Sequence, residues 1–119
     1  MKVLVCGSRE FTDATMILEE LERFPADTTI LHGACSRGAD SIADRLARDV
    51  LHLSVQSYPA QWHVYGKSAG RRRNWEMLCQ KPDLVLAFLR EGAGNRGTRN
   101  MVQIAAQAGV VVHEFVQRG

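Results

Sequence analysis

Five short apolar runs alternate with helical stripes along this chain, and three of the junctions between run and helix carry glycine and arginine together. A short run that is apolar throughout fits a sheet covered on both faces, and a helix after each run is the crossover that parallel strands require. The three junctions are Gly7-Ser8-Arg9, Gly33-Ala34-Cys35-Ser36-Arg37-Gly38-Ala39-Asp40 and Gly92-Ala93-Gly94-Asn95-Arg96-Gly97-Thr98. In an open α/β sheet all three emerge at the carboxyl edge, where backbone amides and helix N-termini favour anions.

Residues 2–6 read as the first strand, apolar after Lys2. A helix over about 14–24 follows, capped by Thr12 or Asp13, with Ile17, Leu18, Leu21 and Phe24 on one stripe and Pro25 past its end. Residues 28–32 and 53–57 read as the second and third strands, flanking a helix over 39–50 that turns Ile42, Ala43, Leu46 and Ala47 inward. Residues 59–66 form the longest irregular stretch and hold Trp62, His63 and Tyr65. A helix over 67–79, a strand over 84–89, a helix over 98–108 that stops at Gly109, and a strand over 110–115 complete the chain. The expected fold is α/β: one Rossmann-like, doubly wound parallel sheet of five strands in order 3-2-1-4-5, helices on both faces, with 1–119 as a single domain. Its topological switch point falls between the first and fourth strands, which brings the three junctions to one crevice.

A chain of 119 residues buries an ordinary core without disulfides or a structural metal. Cys6, Cys35 and Cys79 are odd in number and lack CxxC spacing, so no disulfide framework, zinc site or other metal is indicated. Cys6 reads as core, and Cys35 lacks an identifiable base for catalysis. Residues 1–6 are too short for a signal segment, and no apolar run approaches membrane-spanning length, so a cytoplasmic protein without membrane contact is expected. No cofactor is indicated. Arginine dominates the basic residues, and its planar fork suits phosphate better than lysine does. The net charge of +2 is small for a sequence-independent nucleic-acid binder, which keeps that partner in third place.

Each motif has a plain structural reading beside a functional one. Gly7-Ser8-Arg9 fits a tight turn with a surface arginine as well as a ligand contact. The loop from Gly33 through Ala34 to Gly38, Ala39 and Asp40 leads into a helix as phosphate-binding turns do, although it is neither a Walker A loop nor a good GxGxxG. Asp40 in the first helical turn either stabilises the helix or accepts from a ribose hydroxyl. His32 at the strand end reads as a satisfied edge histidine. Trp62 offers an aromatic wall for a base and Lys67 a phosphate contact, while Trp62 and Trp75 with the arginine run suggest a homodimer or larger homo-oligomer. Arg71, Arg72 and Arg73 stand about 100° apart on a helix and cannot all face one ligand. Gly94, Gly97 and Thr98 precede or open the next helix, with Thr98 as N-cap or first-turn hydroxyl.

In order along the chain, Gly-Ser-Arg, His-Gly-Ala…Gly-Ala-Asp, Tyr-Pro-Ala…Trp…Tyr-Gly-Lys, Ala-Gly…Arg-Asn, Pro-Asp-Leu-Val-Leu-Ala-Phe and Gly-Thr…Asn-Met resemble the SLOG superfamily, in particular its small YspA-type branch. That superfamily includes the Lonely Guy phosphoribohydrolases, the DNA-processing protein A family and domains inferred to sense nucleotide-derived signals. The resemblance implies a ligand such as a nucleoside phosphate or an NAD or ADP-ribose derivative. It implies a pocket at Gly7, Ser8, Arg9, Gly33, Gly38, Asp40, Arg73, Asn74, Gly97 and Thr98. The phosphoribohydrolases carry PGGxGTxxE, and Met101 stands here where that catalytic glutamate falls. Binding is therefore expected over catalysis. The alternative is a hydrolase of an N-glycosidic or phosphoester bond, for which Asp40 is the available acid.

Overall fold

In the computed structural model, which describes residues 1–92 and 94–119, five parallel strands form one sheet in the order β3-β2-β1-β4-β5. The strands are β1 (Lys2–Gly7), β2 (Thr29–His32), β3 (Ser54–Ser57), β4 (Leu84–Arg90) and β5 (Val111–Gln117). Between them lie α1 (Ala14–Leu21), α2 (Ala39–Arg45), α3 (Trp62–Tyr65), α4 (Ala69–Leu78) and α5 (Arg96–Gln107). Strand β1 is central and buried on both faces because its residues alternate between two cores. Val3 and Val5 join Ile17, Leu21, Ala39 and Ala43 on the side of α1 and α2. Leu4 and Cys6 join Met77, Leu78, Met101 and Ala105 on the side of α4 and α5. The doubly wound α/β arrangement and its strand order are those the sequence pattern dictates. Among the described residues, no helix is long and apolar enough to cross a membrane.

Several boundaries differ from the sequence expectation, each for a local reason. Asp13, not Thr12, caps α1, accepting from the Met16 amide at 3.1 Å. Thr12 is engaged by Gln117 of β5. Helix α1 ends at Leu21, and the chain through Phe24 tightens into i→i−3 bonds from Arg23 to Glu20 and from Phe24 to Leu21. Helix α2 continues as a π-helical turn over Leu46–Val50, closed by the Leu51 amide on the Leu46 carbonyl. The stretch expected to be irregular contains α3 and a 3₁₀ turn, Gly66–Ser68, so α4 starts at Ala69.

Helix α5 begins at Arg96, two residues before the expected start, which places Thr98 in the first turn and removes it from the N-cap. Asn95 occupies the cap position, but its side chain clamps the loop instead. Its Oδ1 accepts from the Arg90 amide at 3.0 Å and its Nδ2 donates to the Arg90 carbonyl at 2.6 Å.

Candidate functional site

The carboxyl ends of β1 and β2 stand side by side, and the chain after β1 is bound tightly to its neighbours. The Ser8 amide donates to the Phe88 carbonyl, and the Ser8 carbonyl accepts from the amides of Phe11 and Ala39. Its hydroxyl accepts from the Glu10 amide at 3.0 Å. Ser8 is therefore wholly buried and holds the β1 turn against β4 and the start of α2. Gly38 makes this close approach possible. Its φ of +81° is one that side chains rarely adopt, and a Cβ there would run into the Ser8 carbonyl and Arg9 backbone. Ala39 packs wholly buried beneath the same contact.

Around the Gly33–Gly38 loop lie two spaces, an outer chamber and an inner pocket. The outer chamber has a volume of about 310 Å³ and is lined by the side chains of Arg9, Arg37, Arg73 and Trp62, the loop residues Gly33, Ala34, Cys35 and Ser36, and Pro59 and Ala60. Trp62 is half exposed, and its ring lies over Gly70 of α4, where an added methyl would stand 3.3 Å from it. Arg73 crosses from α4 to the loop. Its Nη1 donates to the Gly33 and Tyr58 carbonyls and its Nε to Asn74 Oδ1 at 3.0 Å. Nη2 keeps no protein acceptor among the described residues and belongs to a guanidinium with no carboxylate partner there. Arg9 likewise has no carboxylate partner and reaches the Cys35 thiol, whereas Arg37 is paired with Glu10 at 2.8 Å.

The inner pocket lies at the switch point and measures about 40 Å³, enough for one water-sized group. Cys6, Gly7, Gly33, Cys35, Asp40, Arg73, Asn74, Met77, Gly97 and Thr98 line it. Asp40 is 5% exposed. Its Oδ2 accepts from the Gly33 amide at 3.2 Å and the Cys35 amide at 3.4 Å, while Oδ1 is buried with no hydrogen-bond partner among the described residues. Burial pushes its carboxyl above the usual range, against the pull of the Cys35 amide and Arg73. Asn74 ties α4 to the start of α5 through Nδ2, which donates to Gly97 O at 3.2 Å and to Asn100 Oδ1 at 3.0 Å.

Histidine 32 is a supporting group. Its Nδ1 accepts from the Ala34 amide at 2.9 Å, so Nε2 carries the proton to Asp44 Oδ2 at 2.6 Å. Asp44 is held below the usual range: partial burial alone raises it, and bonds from His32 and Arg48 overcome that. The Cys35 thiol is pushed up by burial and by Asp40, so it stays protonated at neutral pH and is not an activated nucleophile. Cys6 is buried and raised further in the same direction. Among the described residues, no group of three or more His, Cys, Asp or Glu side chains converges where a metal ion could sit.

Seen residue by residue, Arg9, Gly33, Ala34, Trp62 and Arg73 face the outer chamber, and Gly7, Gly33, Asp40, Arg73, Asn74, Gly97 and Thr98 face the inner pocket. Ser8, Gly38 and Ala39 lie behind the site and fix its backbone. The third loop does not join as a whole. Gly94 faces a separate depression with Glu10, Thr12 and Arg90, and Ala93 lies outside the described residues. Lys67 is exposed on the 3₁₀ turn and lines neither space. Arg71 and Arg72 turn to another surface, beside Tyr65 and the exposed Trp75. Pro59 and Ala60 belong to the Tyr-Pro-Ala motif but were not expected at the pocket, although their place just beyond β3 puts them on the same carboxyl edge.

The profile of the YspA, cpYpsA-related SLOG family matches residues 1–65, more than half of the chain and the part that carries the first two loops. The chain belongs to this SLOG family. It is also similar to the Gene 61 protein of Mycobacterium phage D29, at 36% identity over 122 residues that cover 96% of this chain and 95% of the phage protein. No solved structure gives a significant match to this SLOG chain. Within the SLOG framework Met101 is wholly buried among Leu4, Cys6 and Met77, so its position beneath α5 supplies packing and no carboxylate.

Proposed function

We propose that the protein binds a nucleotide-derived small molecule, a nucleoside phosphate or an NAD or ADP-ribose derivative, and holds it without cleaving it. One observation carries this reading: Arg9 and Arg73, neither paired with a carboxylate among the described residues, line one 310 Å³ chamber together with Trp62. Guanidinium forks suit phosphate oxygens, and an indole face suits a base. Membership of the SLOG family supports a nucleotide-related role, and the chamber is of a size ordinary for small ligands. Titration calorimetry with nucleoside mono- and diphosphates, ADP-ribose and NAD tests the proposal. Saturable binding with a 1:1 ratio per chain is expected, and no heat at millimolar ligand across the panel overturns it.

Asp40 favours one competing reading. A buried acid with a raised pKa at the end of a nucleotide cleft suits N-glycosidic hydrolysis, where a carboxyl must face the sugar. Chromatography of nucleotides incubated with the protein separates the two readings. Release of free base that disappears in Asp40→Ala would favour the hydrolase, and intact nucleotide after prolonged incubation supports binding.

A further inference from the structure

Asp40 makes a stronger statement than helix capping requires. The amides of Gly33 and Cys35 converge on its Oδ2, which leaves Oδ1 buried and without a hydrogen-bond partner among the described residues, in a carboxyl that lines the inner pocket. A buried polar oxygen without a partner is costly, so the pocket is built to be completed by something that enters it. The space of about 40 Å³ admits a single small polar group and excludes a base or a phosphate. An anion is also disfavoured beside a carboxyl. The inner pocket and the outer chamber are neighbours, since Gly33, Cys35 and Arg73 line both.

Resting on the nucleotide reading above, we propose that the inner pocket is a hydroxyl-reading subsite: a ribose hydroxyl enters it and pairs with Asp40 Oδ1, which makes the protein selective for ribonucleotides over deoxyribonucleotides. The choice of a hydroxyl over an amine follows from the carboxyl itself. The two amides favour lone pairs on Oδ2, so any proton on Asp40 sits on Oδ1. A hydroxyl donates to Oδ1 when the acid is ionised and accepts from it when the acid is protonated. An ammonium group suits only the ionised form. This also orients the ligand, with its sugar edge inward, its phosphate toward Arg9 and Arg73, and its base against Trp62.

The groups facing Asp40 from neighbouring elements are few. Arg73 comes from α4, Cys35 from the loop, His32 from the end of β2 and Cys6 from β1. None of them satisfies Oδ1. Thr98 and Asn74 line the same pocket and complete its polar wall, with Asn74 already committed to α5.

The test is calorimetry of the wild-type protein with AMP, its 2′-deoxy and 3′-deoxy forms, and AMP carrying a bulky ester on the ribose hydroxyls. Loss of the hydroxyl that enters is expected to weaken binding by about tenfold to a hundredfold, the range for leaving a buried polar group unpaired. The ester is expected not to bind. Asp40→Ala, with its fold checked by circular dichroism, is expected to bind the ribo and deoxy forms equally. The wild-type comparison decides the matter even if that variant does not fold. Equal affinity for AMP and both deoxy forms overturns the subsite and leaves the nucleotide reading standing. No binding of any nucleotide overturns both.

Discussion

The outer chamber and the inner pocket share Gly33, Cys35 and Arg73, yet they are built in opposite ways. The chamber presents cations and an indole on long, partly exposed side chains, over a floor of loop backbone. The pocket presents a carboxyl fixed by two backbone amides, walled in part by Gly7 and Gly33, where a Cβ would collide with its neighbours. Side-chain walls can be changed while the fold stands, because the groups removed were solvated to begin with. Backbone walls cannot, because Asp40 is held there by the turn between β2 and α2 that also packs against the end of β1. Affinity and fold stability should therefore separate in the chamber and move together in the pocket.

The largest effect is expected from Gly38→Val. It forces a β-branched side chain into a conformation nearly reserved for glycine and into the Ser8 and Arg9 backbone, at a cost of roughly 3 kcal/mol or more. Urea denaturation should show a sharply lowered midpoint together with loss of ligand binding. An unchanged midpoint would remove the claim that the pocket is set by backbone.

Arg73→Ala is next, because Arg73 serves both regions. Ligand affinity should fall about tenfold to a hundredfold, and stability by about 1–2 kcal/mol as the Gly33 and Tyr58 carbonyls lose a charged donor. Arg73→Lys should not restore either, since an ammonium cannot span those carbonyls and a ligand at once. Calorimetry and denaturation together check the coupling.

Trp62→Ala isolates the chamber. Losing one stacked base corresponds to about 1–3 kcal/mol of binding, with the denaturation midpoint unchanged. A comparable loss of stability would mean that the indole is packing and not a ligand wall. Lys67→Ala, on the exposed turn, is expected to alter neither quantity.

The dependence on pH sharpens the contrast further. Asp40 has its folded-state pKa raised from the ordinary 3.8, so at pH values between the two the native state holds a proton that the unfolded chain has released. Its contribution to stability thus falls as pH rises from that ordinary value through the folded pKa. Asp44 is lowered from the same reference, and its contribution is present above the unfolded value and lost as pH falls through the folded one. Asp40→Asn should lose stability relative to wild type least at high pH, and Asp44→Asn most at neutral pH. Denaturation series across acid to neutral pH check both signs.

Fold and site were not equally legible in the sequence. Runs such as residues 84–89 and stripes such as Ile17, Leu18 and Leu21 record burial locally, which is why the strand order follows from their alternation and from right-handed crossovers. Asp40 was legible as a polar residue in a first helical turn. That one of its oxygens is engaged and the other is not depends on the Gly33 and Cys35 amides, whose directions no local pattern records. Spacing also showed that the three arginines diverge. Which of them faces the site was decided by the rotation of α4, fixed by burial of Asn74, Met77 and Leu78.

The third loop shows the same division in the other direction. Its glycines and arginine looked like those of the second loop, yet Asn95 clamps it to Arg90, and of its described residues only Gly97 and Thr98 line the pocket.

By itself the sequence determined the α/β class, the five-strand order and the edge of the sheet at which glycine and arginine gather. Each of these follows from periodicities that act over a few residues. Tertiary structure alone decided that the edge holds two unlike spaces instead of one, joined by Arg73 and Gly33, which lie 40 residues apart in the chain. Contacts over that distance depend on how α4 packs on the sheet, and packing is a property of the assembled core.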